Sequence, residues 1–341
     1  MLPRVFAISA LAAAACFGQP PAISLEHPAA VGLPVWLKIP PRDRVETFYP
    51  FDLGLPASFG CKQVEVRRNG QMLPEIANLA DQGESSGIMA EFGNPCCSAL
   101  RDLIMDPARA THPARLPLHL RYRFDQPGVY EVRYTATTEK LSFPPGPTVW
   151  TAWTPIEIQP GSPESRASWL AEMSAHAPTD KVEALTDFLP SILGIPDPES
   201  LRMLGPYLYH PDKLVRRYAG SALTYWPAAE AEASVKEWLR IKGPSDGMIH
   251  YLARGPLHAL PDFNSILEIV LPYLRSDSPV LVAGALEAAW HLTGAASKVS
   301  PELRRRAEEE LMGAQDHIRA VCDSGTVSQL DSLLKLLPEL R

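Results

Sequence analysis

Residues 206–226, PYLYHPDKLVRRYAGSALTYW, recur without gaps 66 positions later as residues 272–292, PYLRSDSPVLVAGALEAAWHL. The tripeptide Pro-Tyr-Leu is identical in the two copies, and two alanines at helical spacing recur after it. An interval of 66 residues is two units of about 33, a length typical of stacked helix pairs that bury their apolar faces only against one another. The repeat therefore predicts an α-solenoid in this half of the chain.

Within the first copy, residues 212–223, DKLVRRYAGSAL, resemble the second helix of a HEAT repeat. An Asp in the turn is followed by Val-Arg and then by alanines at helical spacing; the second copy keeps Asp277 but has Val282 where Arg216 stands. The resemblance implies HEAT-like helical repeats over residues 164–341, with a curved surface that binds a partner.

Helical periodicity supports the same division of the chain. A linker at residues 160–163, PGSP, precedes the helical half, and Pro, Asp or Gly stands at the joints between the segments. Apolar residues at helical spacing predict four amphipathic helices, at residues 166–175, 181–193, 198–209 and 213–226.

Residues 22–159 instead alternate with period two between Pro and Gly punctuation. The clearest example is residues 116–124, LPLHLRYRF, which predicts a strand with Leu118 and Leu120 on one face and His119 on the other. Asn-Gly at residues 69–70 predicts a tight hairpin. Several short strands of this kind predict a β-sandwich.

The stretch FDQPGVYEVRYT, residues 124–135, resembles the corner of immunoglobulin-like sandwiches. There a turn containing Asp precedes a Tyr whose hydroxyl bonds back to the backbone, roles that Asp125 and Tyr130 would take here. The resemblance implies an immunoglobulin-like β-sandwich over residues 22–159, but the stretch lacks the Cys…Trp…Cys framework of antibody domains.

Residues 1–19, MLPRVFAISALAAAACFGQ, carry one positive charge followed by a short apolar run and small residues. This pattern predicts a secretory signal peptide, with a buried N-terminal helix as the alternative. Cys16 also suggests a lipoprotein signal, although Ala13 stands where a large aliphatic residue is usual. No later apolar run reaches the ~18 residues of a spanning helix. We therefore expect an exported protein, periplasmic or extracellular, with no transmembrane span.

Export sets the interpretation of the cysteines, since nearby thiols pair in an oxidising compartment. Cys61 with Cys96 or Cys97 would close a loop of about 35 residues, worth about 3 to 4 kcal/mol. A bond between Cys96 and Cys97 themselves is the alternative. Cys322 is expected to be a buried free thiol.

Catalytic and metal patterns are weak. Residues 83–87, GESSG, match G-x-S-x-G, but a nucleophile elbow needs a buried strand before it and a helix after it. The nine histidines form neither H-E-x-x-H nor a zinc pattern with cysteine, so no metal or cofactor is predicted. A net charge of −7 offers no general attraction to nucleic acid.

Two sets of residues are candidates for a binding surface. His250, Arg254 and His258 stand at i, i+4 and i+8, where they could share an exposed helix face, although Pro256 interrupts that helix. Trp150 and Trp153 lie on a predicted strand, where they either pack in the core or form an exposed patch for sugar or peptide.

The sequence therefore predicts a non-enzymatic exported protein that binds another protein through the concave face of its helical repeats. The alternatives are a carbohydrate- or peptide-binding module on the β-sandwich, with the helices as support, and an envelope hydrolase with a site between the domains.

Overall fold

The chain folds into a β-rich N-terminal region and a helical C-terminal region, in agreement with the change of period near residue 160. In the helical region the core is one continuous cluster, and a separate cluster fills the β-rich region. The computed structural model describes residues 23–39, 64–74, 114–120, 122–136, 149–193, 195, 197–254, 263–294 and 299–336.

The described strands of the β-rich region form two sheets. One has the antiparallel order β1-β3-β6, and the other has the order β2-β9-β7-β4-β5 with β8 paired to β7. Only the β2–β9 pair among these described strands is parallel. The strands are β1 Ser24–Leu25, β2 Ala29–Ala30, β3 Trp36–Ile39, β4 Val64–Arg68, β5 Gln71–Met72, β6 Ala114–Pro117, β7 Gly128–Ala136, β8 Val149–Trp150 and β9 Thr154–Gln159.

Side chains from both sheets share one core. Leu37 of β3 and Val66 of β4 are fully buried in it, beside every second residue of β7. Tyr130, Val132 and Tyr134 of β7 are the buried set, as the alternation of this strand predicts.

The predicted hairpin at residues 69–70 is confirmed. Asn69 and Gly70 both have positive φ, 51° and 75°, which a two-residue type I′ turn requires at its central positions. The register places Arg68 opposite Gln71 and Arg67 opposite Met72.

The strand predicted over residues 116–124 is wrong beyond Pro117. β6 ends there, and the chain enters a 3₁₀ turn, Leu118–Leu120, whose first amide N–H donates to the carbonyl of Val35 at 2.8 Å. All three residues of the turn are buried, which strict alternation does not allow. His119, expected on the outer face, is buried because its ring lies between the backbone of Val35 and the carbonyl of Pro190 in the helical region.

The four predicted helices are confirmed: the first is uninterrupted, the second passes through a π-helical turn, and the third and fourth end in 3₁₀ turns. Within the described residues, no helix is both long enough and apolar enough to cross a membrane. The helices are α1 Pro163–Ala175, α2 Lys181–Glu183, α3 Leu189–Ile192, α4 Pro198–Leu204, α5 Lys213–Ala222, α6 Ala228–Lys242, α7 Asp246–Arg254, α8 Phe263–Val270, α9 Pro279–Gly294, α10 Pro301–Val321 and α11 Ser324–Leu336. The π-helical turn Ala184–Phe188 joins α2 to α3, and 3₁₀ turns follow α4 at Gly205–Tyr209, α5 at Leu223–Tyr225 and α8 at Leu271–Arg275.

Helices α1, α4 and α10 begin with the same local signal. Ser162, Asp197 and Ser300 each accept a hydrogen bond from a backbone N–H of the first turn, and a proline follows directly. The cap satisfies a donor that has no partner inside the helix, and proline at the first position loses no hydrogen bond.

The inner layer of the helical region consists of α5, α7 and α9, which start 33 residues apart. Helix α7 packs against α5 on one side and α9 on the other. A Cβ atom on Gly220 would overlap the backbone of Gly247, and one on Gly247 would overlap the carbonyl of Arg216. The backbones of α5 and α7 therefore touch, which only glycine permits at these positions.

The outer layer alternates helices with 3₁₀ turns. Trp238 of α6 lies over Gly205 of the first turn, and Tyr273 of the next turn lies against Gly243 at the end of α6. Arg275 then donates to the carbonyl of Gly313 in α10 at 3.2 Å. Helix α6 thus sits between the two turns, and α10 follows.

Candidate functional site

The most unusual feature of the inner layer is a cluster of buried charged and imidazole side chains. Five of its six members are less than 9% exposed, and the sixth, His291, is partly exposed. Charged side chains are seldom buried unless they are paired, so their arrangement carries structural or functional information. The members are Arg216 and Arg217 of α5, Asp246 and His250 of α7, and Glu287 and His291 of α9.

Arg216 ties α5 to the start of α7. Its Nε lies 2.5 Å from Oδ1 of Asp246, and its Nη1 donates to the carbonyl oxygens of His210 and Pro211, each at 2.8 Å. The guanidinium therefore joins the turn before α5 to the first residue of α7, which is a structural role.

Arg217 connects all three inner helices. Its Nη2 lies 2.8 Å from Oε2 of Glu287, and its Nε lies 3.4 Å from Oδ2 of Asp246. A third contact, also of 3.4 Å, joins its Nη1 to Nδ1 of His250. The guanidinium therefore lies at the centre of the cluster.

Glu287 divides its two oxygens between two kinds of neighbour. Oε2 accepts from Arg217 and, at 2.9 Å, from the amide of Gln329 in α11. Oε1 lies 3.2 Å from Nε2 of His291 and 3.6 Å from Nδ1 of His250. Oε2 is thus fixed by side chains of α5 and α11, while Oε1 faces two imidazoles.

Electrostatics keep this carboxyl ionised. Burial raises the pKa of Glu287, but hydrogen bonds with His250 and His291 and the charge of Arg217 outweigh burial and hold the pKa well below its usual value. Donor atoms of His250, Glu287 and His291 all lie within 4.8 Å of one another. These three side chains could hold a metal ion.

The predicted surface of His250, Arg254 and His258 is only partly described. His250 is 3% exposed, so it lies inside the helical region rather than on an exposed repeat surface. Arg254 is the last residue of α7, which ends before Pro256, and His258 lies outside the described residues. The sequence pattern led to the wrong environment for His250, because polar residues at helical spacing also occur in buried networks.

Trp150 and Trp153 are half-buried on the outer side of the β-rich region, where they stack with arginines. The guanidinium of Arg133 lies 4.6 Å from the ring centre of Trp150 and 4.5 Å from that of Trp153. Arg67 lies 4.2 Å from the ring centre of Trp153. The indoles are therefore packed by cations rather than enclosed in the core.

The predicted disulfide residues Cys61, Cys96 and Cys97 lie outside the described residues. Cys322 is a free thiol, as expected, but it is half-buried rather than fully buried. Burial, with a smaller effect of Asp323, raises the pKa of this thiol to about 11. It is therefore protonated at neutral pH and a poor nucleophile.

A second buried histidine joins the β-rich region to the helices. His119 Nε2 lies 2.7 Å from the carbonyl of Pro190 and must donate to it, so Nδ1 accepts from the N–H of Val35 at 3.1 Å. Burial lowers the pKa of His119 despite these backbone contacts. Beside it, Trp36 Nε1 donates to Oγ of Ser191 at 3.1 Å. No pattern in the sequence predicted this contact.

Glu287, His291 and Gln329 were also not among the site residues predicted from the sequence. One signal was available: Glu287 is the only Asp, Glu, Lys or Arg within Pro279–Gly294. An isolated charge in an otherwise apolar buried helix requires a partner.

Comparisons of the chain with protein-family models, with curated proteins and with solved structures find no match.

Proposed function

We propose that the protein is an exported, non-enzymatic binding protein, in which an immunoglobulin-like β-sandwich precedes a HEAT-like α-solenoid that binds another protein. The observation that carries this proposal is the start of α5, α7 and α9 at Lys213, Asp246 and Pro279, 33 residues apart, with α7 packed between the other two. Stacked helical units of this length typically present an extended surface to a partner.

The exposed side chains are the basis on which we choose a position for that surface. Helices α5, α7 and α9 are buried over most of their length, which argues against the inner layer as the docking face. Large apolar side chains are exposed on the outer helices instead: Ile241 of α6 is 63% exposed, Ile269 of α8 is 47% and Met312 of α10 is 57%. We therefore place the binding face on α6, α8 and α10 rather than on the concave side.

The β-rich region supports the sandwich in two ways. Two sheets share one core, and the hydroxyl of Tyr130 donates to the carbonyl of Gln126 at 2.8 Å. This is the bond that the immunoglobulin-like corner implies. The contacts of His119 with Pro190 and of Trp36 with Ser191 then join the β-rich region to the helices.

In this proposal the buried cluster has a structural role. Arg216 and Arg217 are paired with Asp246 and Glu287, so the charges compensate one another inside the inner layer. Such a network fixes the relative position of three helices.

The test is cross-linking of the tagged full chain in envelope extracts of the organism that encodes it, followed by mass spectrometry. The double variant Ile241→Asp/Met312→Asp should reduce recovery of a specific partner by about tenfold or more. Met72→Asp, which changes a 49% exposed residue on the β-hairpin, is the matched control and should retain the partner. Equal recovery with both variants would refute the outer-layer surface.

A second candidate function is favoured by the half-exposed Trp150 and Trp153. Stacked indoles beside Arg67 and Arg133 suit an anionic sugar or an acidic peptide. Binding of acidic oligosaccharides or peptides, measured by calorimetry, should disappear in Trp153→Ala; binding unaffected by that substitution would exclude this site.

A further inference from the structure

We propose that His250, Glu287 and His291 form a zinc site that joins α7 to α9. The proposal does not depend on the protein-binding function, since it concerns a buried position and the binding face lies on the outer helices.

The donor atoms of the three side chains lie within 4.8 Å of one another. Glu287 and His291 are four residues apart on α9 and share one helix face, and His250 approaches from α7. Oε1 of Glu287 lies 3.2 Å from Nε2 of His291 and 3.6 Å from Nδ1 of His250. Donor atoms around a tetrahedral zinc, with bonds of about 2.0–2.1 Å, stand about 3.3 Å apart. These two separations are therefore already close to those of a coordinated ion.

Glu287, one of the three candidate ligands, is oriented by hydrogen bonds from neighbouring side chains. Arg217 and Gln329 hold Oε2 of Glu287 at 2.8 and 2.9 Å, which turns Oε1 toward the two imidazoles. Hydrogen bonds of this kind orient ligands in metal sites and strengthen binding. The carboxylate is thus preorganised from α5 and α11, which contribute no ligand themselves.

The ligand chemistry favours zinc over calcium or magnesium. Two imidazole nitrogens and one carboxylate oxygen are a common set for zinc, whereas calcium and magnesium select oxygen ligands. A three-ligand site leaves a fourth position for water. The side chain of His291 is 14% exposed, so solvent reaches the cluster beside this residue.

One contact must change when the ion binds. Nη1 of Arg217 lies 3.4 Å from Nδ1 of His250, a long contact that zinc would replace. The guanidinium keeps its shorter contact with Glu287 and its contact with Asp246. The competing explanation is a network without metal, in which both imidazoles interact directly with Oε1 of Glu287. The two explanations differ in whether the protein binds zinc.

The experiment uses the untagged chain, stripped with a chelator and titrated with zinc chloride against a chromophoric chelator. We expect one equivalent to bind with submicromolar affinity, and His291→Ala to weaken binding by about 100-fold or more. His317→Ala is the matched control, because His317 is a half-buried helical histidine whose ring lies 2.9 Å from the carbonyl of Ser276, away from the proposed site. Its affinity for zinc should stay within about twofold of that of the unsubstituted protein.

Two further measurements make the result decisive. The cobalt-substituted protein should show tetrahedral absorption bands without a thiolate charge-transfer band, which separates this site from cysteine binding. Zinc in hundredfold excess over its dissociation constant should raise the melting temperature by about 5 °C in the unsubstituted protein and in His317→Ala, but not in His291→Ala. No stoichiometric binding, or equal binding by His291→Ala, would overturn the proposal.

Discussion

Replacing Glu287 with Gln removes the charge that Arg217 faces inside the protein, and it should lower the free energy of unfolding substantially. The side chain of Glu287 is 1% exposed and that of Arg217 is 8% exposed, so solvent cannot compensate the guanidinium. Removing one partner of a buried ion pair costs about 3–5 kcal/mol. Arg217 keeps Asp246 at 3.4 Å, and glutamine still offers one oxygen, so we expect the lower end, about 3 kcal/mol.

The assay is urea unfolding at pH 7, followed by far-ultraviolet circular dichroism. The matched control is Glu310→Gln on α10, which breaks the exposed pair between Arg275 and Glu310 and should change stability by no more than about 0.5 kcal/mol. A double-mutant cycle with Arg217→Met isolates the pair: the double variant should be more stable than the sum of the single losses implies. A loss below about 1 kcal/mol in Glu287→Gln, or strict additivity in the cycle, would refute the reasoning.

The pH dependence gives an independent check of the same pair. The pKa of Glu287 is lowered in the folded protein, so its carboxylate stabilises the fold above the unfolded value of 4.5. This contribution is lost as pH falls from 4.5 toward the folded pKa. The stability difference between the unsubstituted protein and Glu287→Gln should therefore be constant above pH 5.5 or so and shrink below about 4.5. A constant difference down to pH 3 would contradict an ionised Glu287.

Three further predictions concern packing and hydrogen bonds. Burial lowers the pKa of His119 from 6.5 in the folded protein, so the neutral imidazole contributes fully to the free energy of unfolding above pH 6.5, and this contribution is lost as pH falls. In urea unfolding, the unsubstituted protein should therefore lose stability between pH 6.5 and 5 more steeply than His119→Gln. Gly247→Ala should lower the free energy of unfolding by about 3 kcal/mol, because the new Cβ would overlap the carbonyl of Arg216. The control Gly325→Ala, whose Cβ makes only an ordinary contact, should be neutral or stabilising. Equal melting temperatures for the two variants would show that α5 and α7 can separate. Tyr130→Phe should lose about 1 kcal/mol with the bond to Gln126, and an unchanged unfolding midpoint would show that this bond does not stabilise the corner.

Local patterns in the sequence predicted most of the elements. The four helices after residue 162, the alternation of β7 and the Asn69-Gly70 hairpin all depend on residues within a few positions of one another. Caps, turn residues and periodicity carry that information directly. The prediction was wrong for residues 118–120, because the burial of His119 depends on Pro190, 71 positions away.

The candidate site could not be predicted in the same way. Arg217 meets Asp246 at a separation of 29 residues and Glu287 at 70, and Gln329 meets Glu287 at 42. Apart from Glu287, which stands alone as a charge in an otherwise apolar helix, each of these side chains looks like an ordinary exposed residue of an amphipathic helix. Only the packing of α5, α7, α9 and α11 shows that these side chains face one another, which also explains why His250 was expected on the surface.

The 33-residue spacing explains why the acidic and basic members of the cluster stand at different positions in the three inner helices. Arg217 and His250 occupy the same position, the fifth residue, in α5 and α7, so packing these helices side by side brings the guanidinium and the imidazole into contact. A third basic residue there would add to the repulsion, and α9 instead has Ala283 at that position. The carboxylate comes one turn later, at Glu287, where it reaches both Arg217 and His250. Strict repetition would stack like charges in a buried layer, so the third copy must diverge, and this divergence places a carboxylate and His291 together beside His250.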